Sequence, residues 1–112
     1  MTQKGQLWVF HEEAEAQAAG EGFVRRVLAY DEGMMIVENS FAAGAVGGLH
    51  SHPHLQTAYI VEGVFDFEID GETKRLHKGD SVLLPSNVPH GVYCCETGIV
   101  LDIFTPMRKE FV

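Results

Sequence analysis

Phe65, Phe67 and Ile69 alternate with Asp66, Glu68 and Asp70. A period of two is the mark of a strand with one face on a core and the other in water. Asp70-Gly71 follows as a favoured two-residue hairpin turn, and residues 72–77 read as the returning partner strand. The same texture runs through most of the chain. Residues 23–30 and 34–41 are rich in Val, Ile, Phe, Tyr and Met and are separated by the turn Asp31-Glu32-Gly33. Residues 57–62 form a further strand closed by Gly63, and Lys78-Gly79 turns into a strand at 81–84. A loop at 85–89 precedes strands at 92–95 and 99–105, which Glu96-Thr97-Gly98 separates and Pro106 ends.

The N-terminal stretch has a different pattern. Residues 7–10 are a short apolar run, read as a strand or an arm. Residues 12–19 have high helix propensity but little apolar periodicity, which predicts one or two exposed helical turns ended at Gly20. About eight or nine short strands at roughly ten-residue spacing argue for an antiparallel sandwich or barrel. One all-β domain over residues 1–112 is expected, with an arm at 1–20, a barrel at 21–105 and a tail at 106–112.

Bulk properties narrow the chemistry. A chain of 112 residues supports one core, and 46% apolar residues is ordinary for a globular protein. No apolar run approaches the ~20 residues of a membrane span, and residues 1–17 lack a signal peptide's basic end and apolar stretch, so a cytoplasmic protein with no membrane partner is expected. The only two cysteines, Cys94 and Cys95, are adjacent and cannot easily reach unstrained disulfide geometry, so both are read as reduced thiols. A net charge of −8 with no basic cluster beyond Arg25-Arg26 and Lys74-Arg75 disfavours nucleic acid. An anionic small molecule would need a locally placed Arg or Lys.

Three of the six histidines fall within five residues, in His50-Ser51-His52-Pro53-His54. Strand alternation projects His50 and His52 to one face, and Gln56 is the next polar residue of the same parity. His90 follows the loop on the far side of the hairpin. Three imidazoles and one carbonyl oxygen form a donor set for a single first-row divalent ion. A solvated histidine-rich loop is the competing reading.

The run Gly44-(five residues)-His50-Ser51-His52-(three residues)-Gln56-(six residues)-Gly63 resembles the first motif of the cupins, G-x5-H-x-H-x3,4-E-x6-G. Gly79-(five residues)-Pro85-Ser86-Asn87-Val88-Pro89-His90 resembles the second, G-x5-P-x-G-x2-H-x3-N. The resemblance implies a jelly-roll β-barrel, the double-stranded β-helix, with His50, His52, Gln56 and His90 on one metal ion. Nickel, zinc, iron and manganese all suit that set. The departures are informative: Gln56 replaces a Glu, so the ligand set is neutral and the ion's charge stays available to polarise a ligand. Asn87 replaces a Gly, which Asn tolerates because it too accepts left-handed backbone. Cys94 stands where the motif has Asn. The family spacing skips His54, which is placed at the rim, and His11 and His77 are read as surface histidines.

Within the cupins, Val24–Tyr30, the histidine run, Pro85–Val92 and Val100–Phe111 resemble the small pectin-degradation cupins of the KdgF type. That resemblance implies ketonisation of 4,5-unsaturated monouronates from pectin or alginate, a small anionic sugar-acid substrate, and a pocket that includes Gln56, Asp102, Phe104 and Arg108. The last strand agrees in part. Asp102 interrupts an otherwise apolar run and shares a face with Phe104, and an unpaired buried carboxylate is costly. Asp102 is the candidate acid-base, Phe104 the wall of the sugar site and Arg108 the clamp for a carboxylate. A strand-edge position for Asp102 and a solvated Arg108 remain the bland alternatives. A cupin dioxygenase and a non-catalytic small-molecule binder are the competing functions. Cupins commonly pair through sheet edges, so a homodimer is expected, with residues 7–10 as a candidate edge strand.

Overall fold

A computed structural model describes residues 2–112. Eight strands form one continuous antiparallel sheet: β1 (Gln17–Gly20), β2 (Phe23–Asp31), β3 (Met34–Phe41), β4 (Val46–His50), β5 (Leu55–Ile69), β6 (Glu72–His77), β7 (Ser81–Leu84) and β8 (His90–Thr105). The Asp70-Gly71 turn has positive φ at both residues, 49° and 85°, as a tight hairpin requires.

The main departure from the sequence reading is that two pairs of expected strands are fused. β5 and β8 are 15 and 16 residues long, and they pair along their whole length from Leu55↔Thr105 to Ile69↔His90. Gly63 and Gly98, read as strand ends, are instead the places where this ribbon bends. A Cβ on Gly63, whose φ is 87°, would lie 2.7 Å from the Glu96 carbonyl oxygen and from the Gly98 Cα. One on Gly98 would lie 2.1 Å from the Glu62 carbonyl oxygen. Only glycine admits this approach of the two backbones.

Doubling over converts the ribbon into a barrel. The first half of β5 pairs β7 and the second half pairs β6; β8 pairs β4 through its first residues and β3 through its last. β2 and β1 extend the sheet beyond β3. An antiparallel jelly roll follows, as expected. Around the bend an apolar cluster packs Phe41, Ile60, Phe65, Leu84, Cys94 and Val100. A second cluster of Val27, Met35, Val37, Phe104 and Met107 lies nearer the tail.

The N-terminal expectations are corrected. Residues 12–19 are not helical turns: a 3-10 turn at His11–Glu13 is followed by β1, which pairs β2 in the register Gln17↔Arg25. Pairing with a neighbouring strand overrides the local preference of an Ala- and Glu-rich stretch. Residues 7–10 form no strand, and Leu7, Trp8 and Phe10 are exposed. Cys94 and Cys95 are free thiols, Cys94 fully buried in the core. Asn87 has φ 64°, the left-handed backbone its place in the motif demands. Among the described residues no helix is long and apolar enough to cross a membrane.

Candidate metal centre

The bent ribbon brings distant residues together. His90 and Phe104 are separated by 14 positions on one strand, about 45 Å if it ran straight. Both rings instead lie against His52, at centroid distances of 4.9 and 5.9 Å. His50 ends β4 directly opposite His90, the first residue of β8, and their rings are 4.5 Å apart. His52 follows in the loop before β5, 5.6 Å from His50. Nitrogens of the three imidazoles all lie within 4.8 Å of one another.

Backbone carbonyls set the direction of each ring. Nδ1 of His50 meets the Gly48 oxygen at 2.8 Å, Nδ1 of His52 the His54 oxygen at 3.1 Å, and Nδ1 of His90 the Val88 oxygen at 3.0 Å. A carbonyl only accepts, so each Nδ1 carries a proton, which leaves Nε2 as the nitrogen through which each ring can bind a cation. Burial lowers the pKa of His52 and of His90, which favours the neutral form.

Gln56 completes the donor set. Its Nε2 donates to Asp102 Oδ1 at 3.0 Å, and Asp102 Oδ2 accepts from Asn39 Nδ2 at 2.6 Å. With the amide nitrogen committed to the carboxylate, Gln56 Oε1 faces His52 Nε2 at 2.9 Å. An acceptor oxygen then confronts an acceptor nitrogen, and His90 Nε2 is buried with no hydrogen-bond partner among the described residues. Converging lone pairs without a donor are costly unless a cation lies among them. Three imidazole nitrogens and one amide oxygen therefore fit a divalent first-row ion.

Asp102 stands beside this centre. Burial pushes its carboxyl up from 3.8 to about 7, against the opposing hydrogen bond from Gln56, the Arg108 charge and the hydrogen bond from Asn39. A divalent ion on the histidines would draw it down again. Asp102 thus fixes which way the Gln56 amide faces.

A cavity of about 270 Å³ opens over these groups. His50, Gln56, His90, Asp102, Phe104 and Arg108 line it, while His52 stands behind them against Phe104. The tail does fold over the mouth: Met107 is buried, and the Arg108 guanidinium lies 4.5 Å from the centre of the Phe111 ring and 5.0 Å from that of Phe104. Arg108 Nε donates to the Glu110 carboxylate, so the residue is neither solvated nor free. His54 is turned away from the centre, and its Nε2 meets the Met107 carbonyl oxygen at 3.1 Å, fastening the tail. His11 lies on the surface with Nε2 2.8 Å from Glu38 Oε1.

Among the lining residues that the sequence reading does not place at the site are three with polar or aromatic side chains, Arg25 and Asn39, on β2 and β3, and Phe111 of the tail. Arg25 was legible. It lies between Phe23 and Val27 in the alternation of β2, so it interrupts an apolar face just as Asp102 does on β8. Phe111 had no such signal, because its place depends on how the tail folds back.

Comparison with known proteins agrees with this architecture. The family model described as a cupin domain matches residues 37–104. A pectin degradation protein KdgF of Dickeya dadantii is 37% identical over 103 residues, covering 90% of this chain and 94% of that protein. An RmlC-like cupin from Shewanella frigidimarina superposes with a TM-score of 0.94 at 39% identity, over 99% of this chain and all of the other. KdgF from Halomonas sp. superposes with a TM-score of 0.90 at 33% identity, over 96% of this chain and 99% of that one.

Proposed function

This chain belongs to the cupin domain family, and from that membership we propose that it is a metal-dependent enzyme that opens and ketonises 4,5-unsaturated monouronates. The observation that carries the reading is Asp102: a carboxyl held by two amides at 2.6 and 3.0 Å beside the histidine cluster, on the wall of the cavity. A relative of related sequence, the Dickeya KdgF, is named for pectin degradation, which suggests the sugar-acid class. At about 270 Å³ the cavity lies near the lower end of small-molecule sites, about 300–1,000 Å³. That suits one sugar ring rather than an oligomer.

In the proposed reaction Asp102 takes the proton from the substrate's C1 hydroxyl. The C1 oxygen closes to an aldehyde as the bond from C1 to the ring oxygen breaks. The electron pair of that bond leaves an enolate over the ring oxygen, C5 and C4. Asp102 then returns the proton to C4, and C5 becomes a ketone. Atoms and electrons balance within the substrate, and no oxidant is consumed. An ion held by His50, His52, Gln56 and His90 would supply the positive charge that stabilises the enolate oxygen, with nickel, zinc, iron and manganese all compatible. Phe104 lines the sugar face, and Arg108 adds positive charge to the wall that receives the carboxylate.

The test is turnover of unsaturated galacturonate, followed as loss of absorbance of the conjugated double bond. In Asp102→Ala, turnover is expected to fall about 10²- to 10⁴-fold. Metal content by elemental analysis should stay near that of the wild type, because three imidazoles remain. Normal turnover by Asp102→Ala would remove Asp102 from the mechanism. Oxygen uptake by the wild type would replace the reading with a dioxygenase, and inertness of the metal-replete wild type with a binder.

A further inference from the structure

Arg25 and Arg26 are adjacent, and alternation sends them to opposite faces of β2. Arg26 is accounted for by the fold. Its Nε donates to the Ala14 carbonyl oxygen at 3.2 Å, and its guanidinium lies 3.9 Å from Glu38. Arg25 is not accounted for. It turns into the cavity, one strand across from Asn39 in the register Arg25↔Asn39, and no ion pair among the described residues includes it. Its Nε is shielded from solvent and has no hydrogen-bond partner among the described residues.

We propose that Arg25 is the carboxylate-binding residue of the pocket, and that Arg108 assists it as a neighbouring charge already committed to Glu110. Three observations support the assignment. An unpartnered, buried N–H donor in a cavity wall is a group waiting for an acceptor, and the fold supplies none. The Arg25 guanidinium rests 3.7 Å from the centre of the Phe111 ring, which fixes its plane and so prepares the fork that meets a carboxylate through two parallel hydrogen bonds. Arg108, by contrast, has its Nε occupied by a carboxylate from its own tail. An anion entering a chain of net charge −8 must be held by local cations, and Arg25 is the one the fold leaves available.

The inference rests on the preceding reading for the class of ligand, a sugar bearing one carboxylate, but not for the reaction. Its test therefore uses saturated sugars that the proposed chemistry does not consume. The metal-loaded protein is titrated by calorimetry with D-galacturonate and, as the neutral match, D-galactose. The wild type should prefer galacturonate about tenfold or more. Arg25→Met keeps a straight apolar stem against Phe111 and removes the charge; it should bind galacturonate about 10- to 100-fold more weakly and galactose unchanged. Arg25→Lys restores the charge without the fork and should recover part of the loss, while Arg108→Met should lose less than Arg25→Met.

Wild-type affinity of Arg25→Met for galacturonate overturns the proposal, as does a wild type with no preference for the charged sugar. A larger loss in Arg108→Met than in Arg25→Met overturns it as well. If Arg25→Met does not fold, Arg25→Lys decides, since unaltered binding by that variant excludes a bidentate contact. Should galacturonate bind through Arg25 while unsaturated galacturonate is not turned over, the anchor stands and the ketonisation reading falls.

Discussion

The ribbon of β5 and β8 has a closed end and an open end built from the same two strands, and they solve opposite problems. At the bend, Gly63 and Gly98 bring two backbones into contact, and Ile60, Phe65, Cys94 and Val100 pack around them with at most 2% of their surface exposed. At the mouth the same strands carry Gln56, His90 and Asp102, with a raised carboxyl, facing lone pairs and an imidazole nitrogen that has no partner. Packing at the bend stabilises the barrel, whereas the mouth holds groups that would be more stable in water. Local rules are satisfied at the bend and violated at the mouth, and such violations are where a functional site is to be sought.

The largest effect should come from the closed end. In Gly98→Ala the new Cβ meets the Glu62 carbonyl oxygen at 2.1 Å and the Gly63 Cα at 2.7 Å, contacts that only a backbone shift relieves. Loss of about 3 kcal/mol or more is expected in urea unfolding. The metal-binding stoichiometry of the protein that remains folded should be unchanged, because no ligand touches the bend. A mild effect on stability, or loss of metal from folded protein, would break the distinction between the two ends.

The second effect belongs to the mouth. An ion bound only by the folded state stabilises it by about 2.7 kcal/mol when present at 100 times its dissociation constant. For a chain of this size that is a rise in Tm of about 10 °C, reversed by chelator. His90→Ala removes the ligand whose Nε2 has no other partner, so its melting should respond little to metal. An equal response in His90→Ala and the wild type would remove His90 from the centre.

How far the sequence foretold these two ends differs for a physical reason. Alternation and turn chemistry are local, so the 65–69 strand, the Asp70-Gly71 hairpin and the strand at 81–84 were legible. The spacing of His50, His52, Gln56 and His90 was legible through its resemblance to a motif. Gly63 and Gly98 read as strand ends because a glycine that stops a strand and one that bends it look alike in sequence. The difference lies in the partner strand, and pairing at that distance is not written locally. For the same reason the residues of β1 read as helix and Phe111 has no local signature, while Arg108 is placed at the pocket only through the resemblance and its pairing with Glu110 is not legible.

The smallest effect is the sharpest probe of the open end, and it concerns the metal-free protein. Asp102 releases its proton near 3.8 when unfolded and near 7 when folded. Between those values the folded state holds more protons, so this group's contribution to stability falls as pH rises from about 4 to about 7 and is constant above. His52 and His90 act in the opposite sense: their lowered pKa values cost stability as pH falls below about 6.5. Asp102→Asn removes the first contribution and leaves the second. An Asn there can still accept from Asn39, and its own amide can donate to Gln56 once that side chain turns over. The upper bound for the carboxyl's displacement is about 4 kcal/mol, and solvent in the cavity screens it to about 1–2 kcal/mol. Metal-free Asp102→Asn should therefore be more stable than metal-free wild type at pH 8, with the difference closing towards pH 4. In the presence of metal the advantage should shrink, since the turned Gln56 no longer offers its oxygen and the wild type gains more from the ion. A difference that is independent of pH, or that widens on acidification, would mean that Asp102 sits comfortably charged in the fold, and the mouth would then be no more strained than the bend.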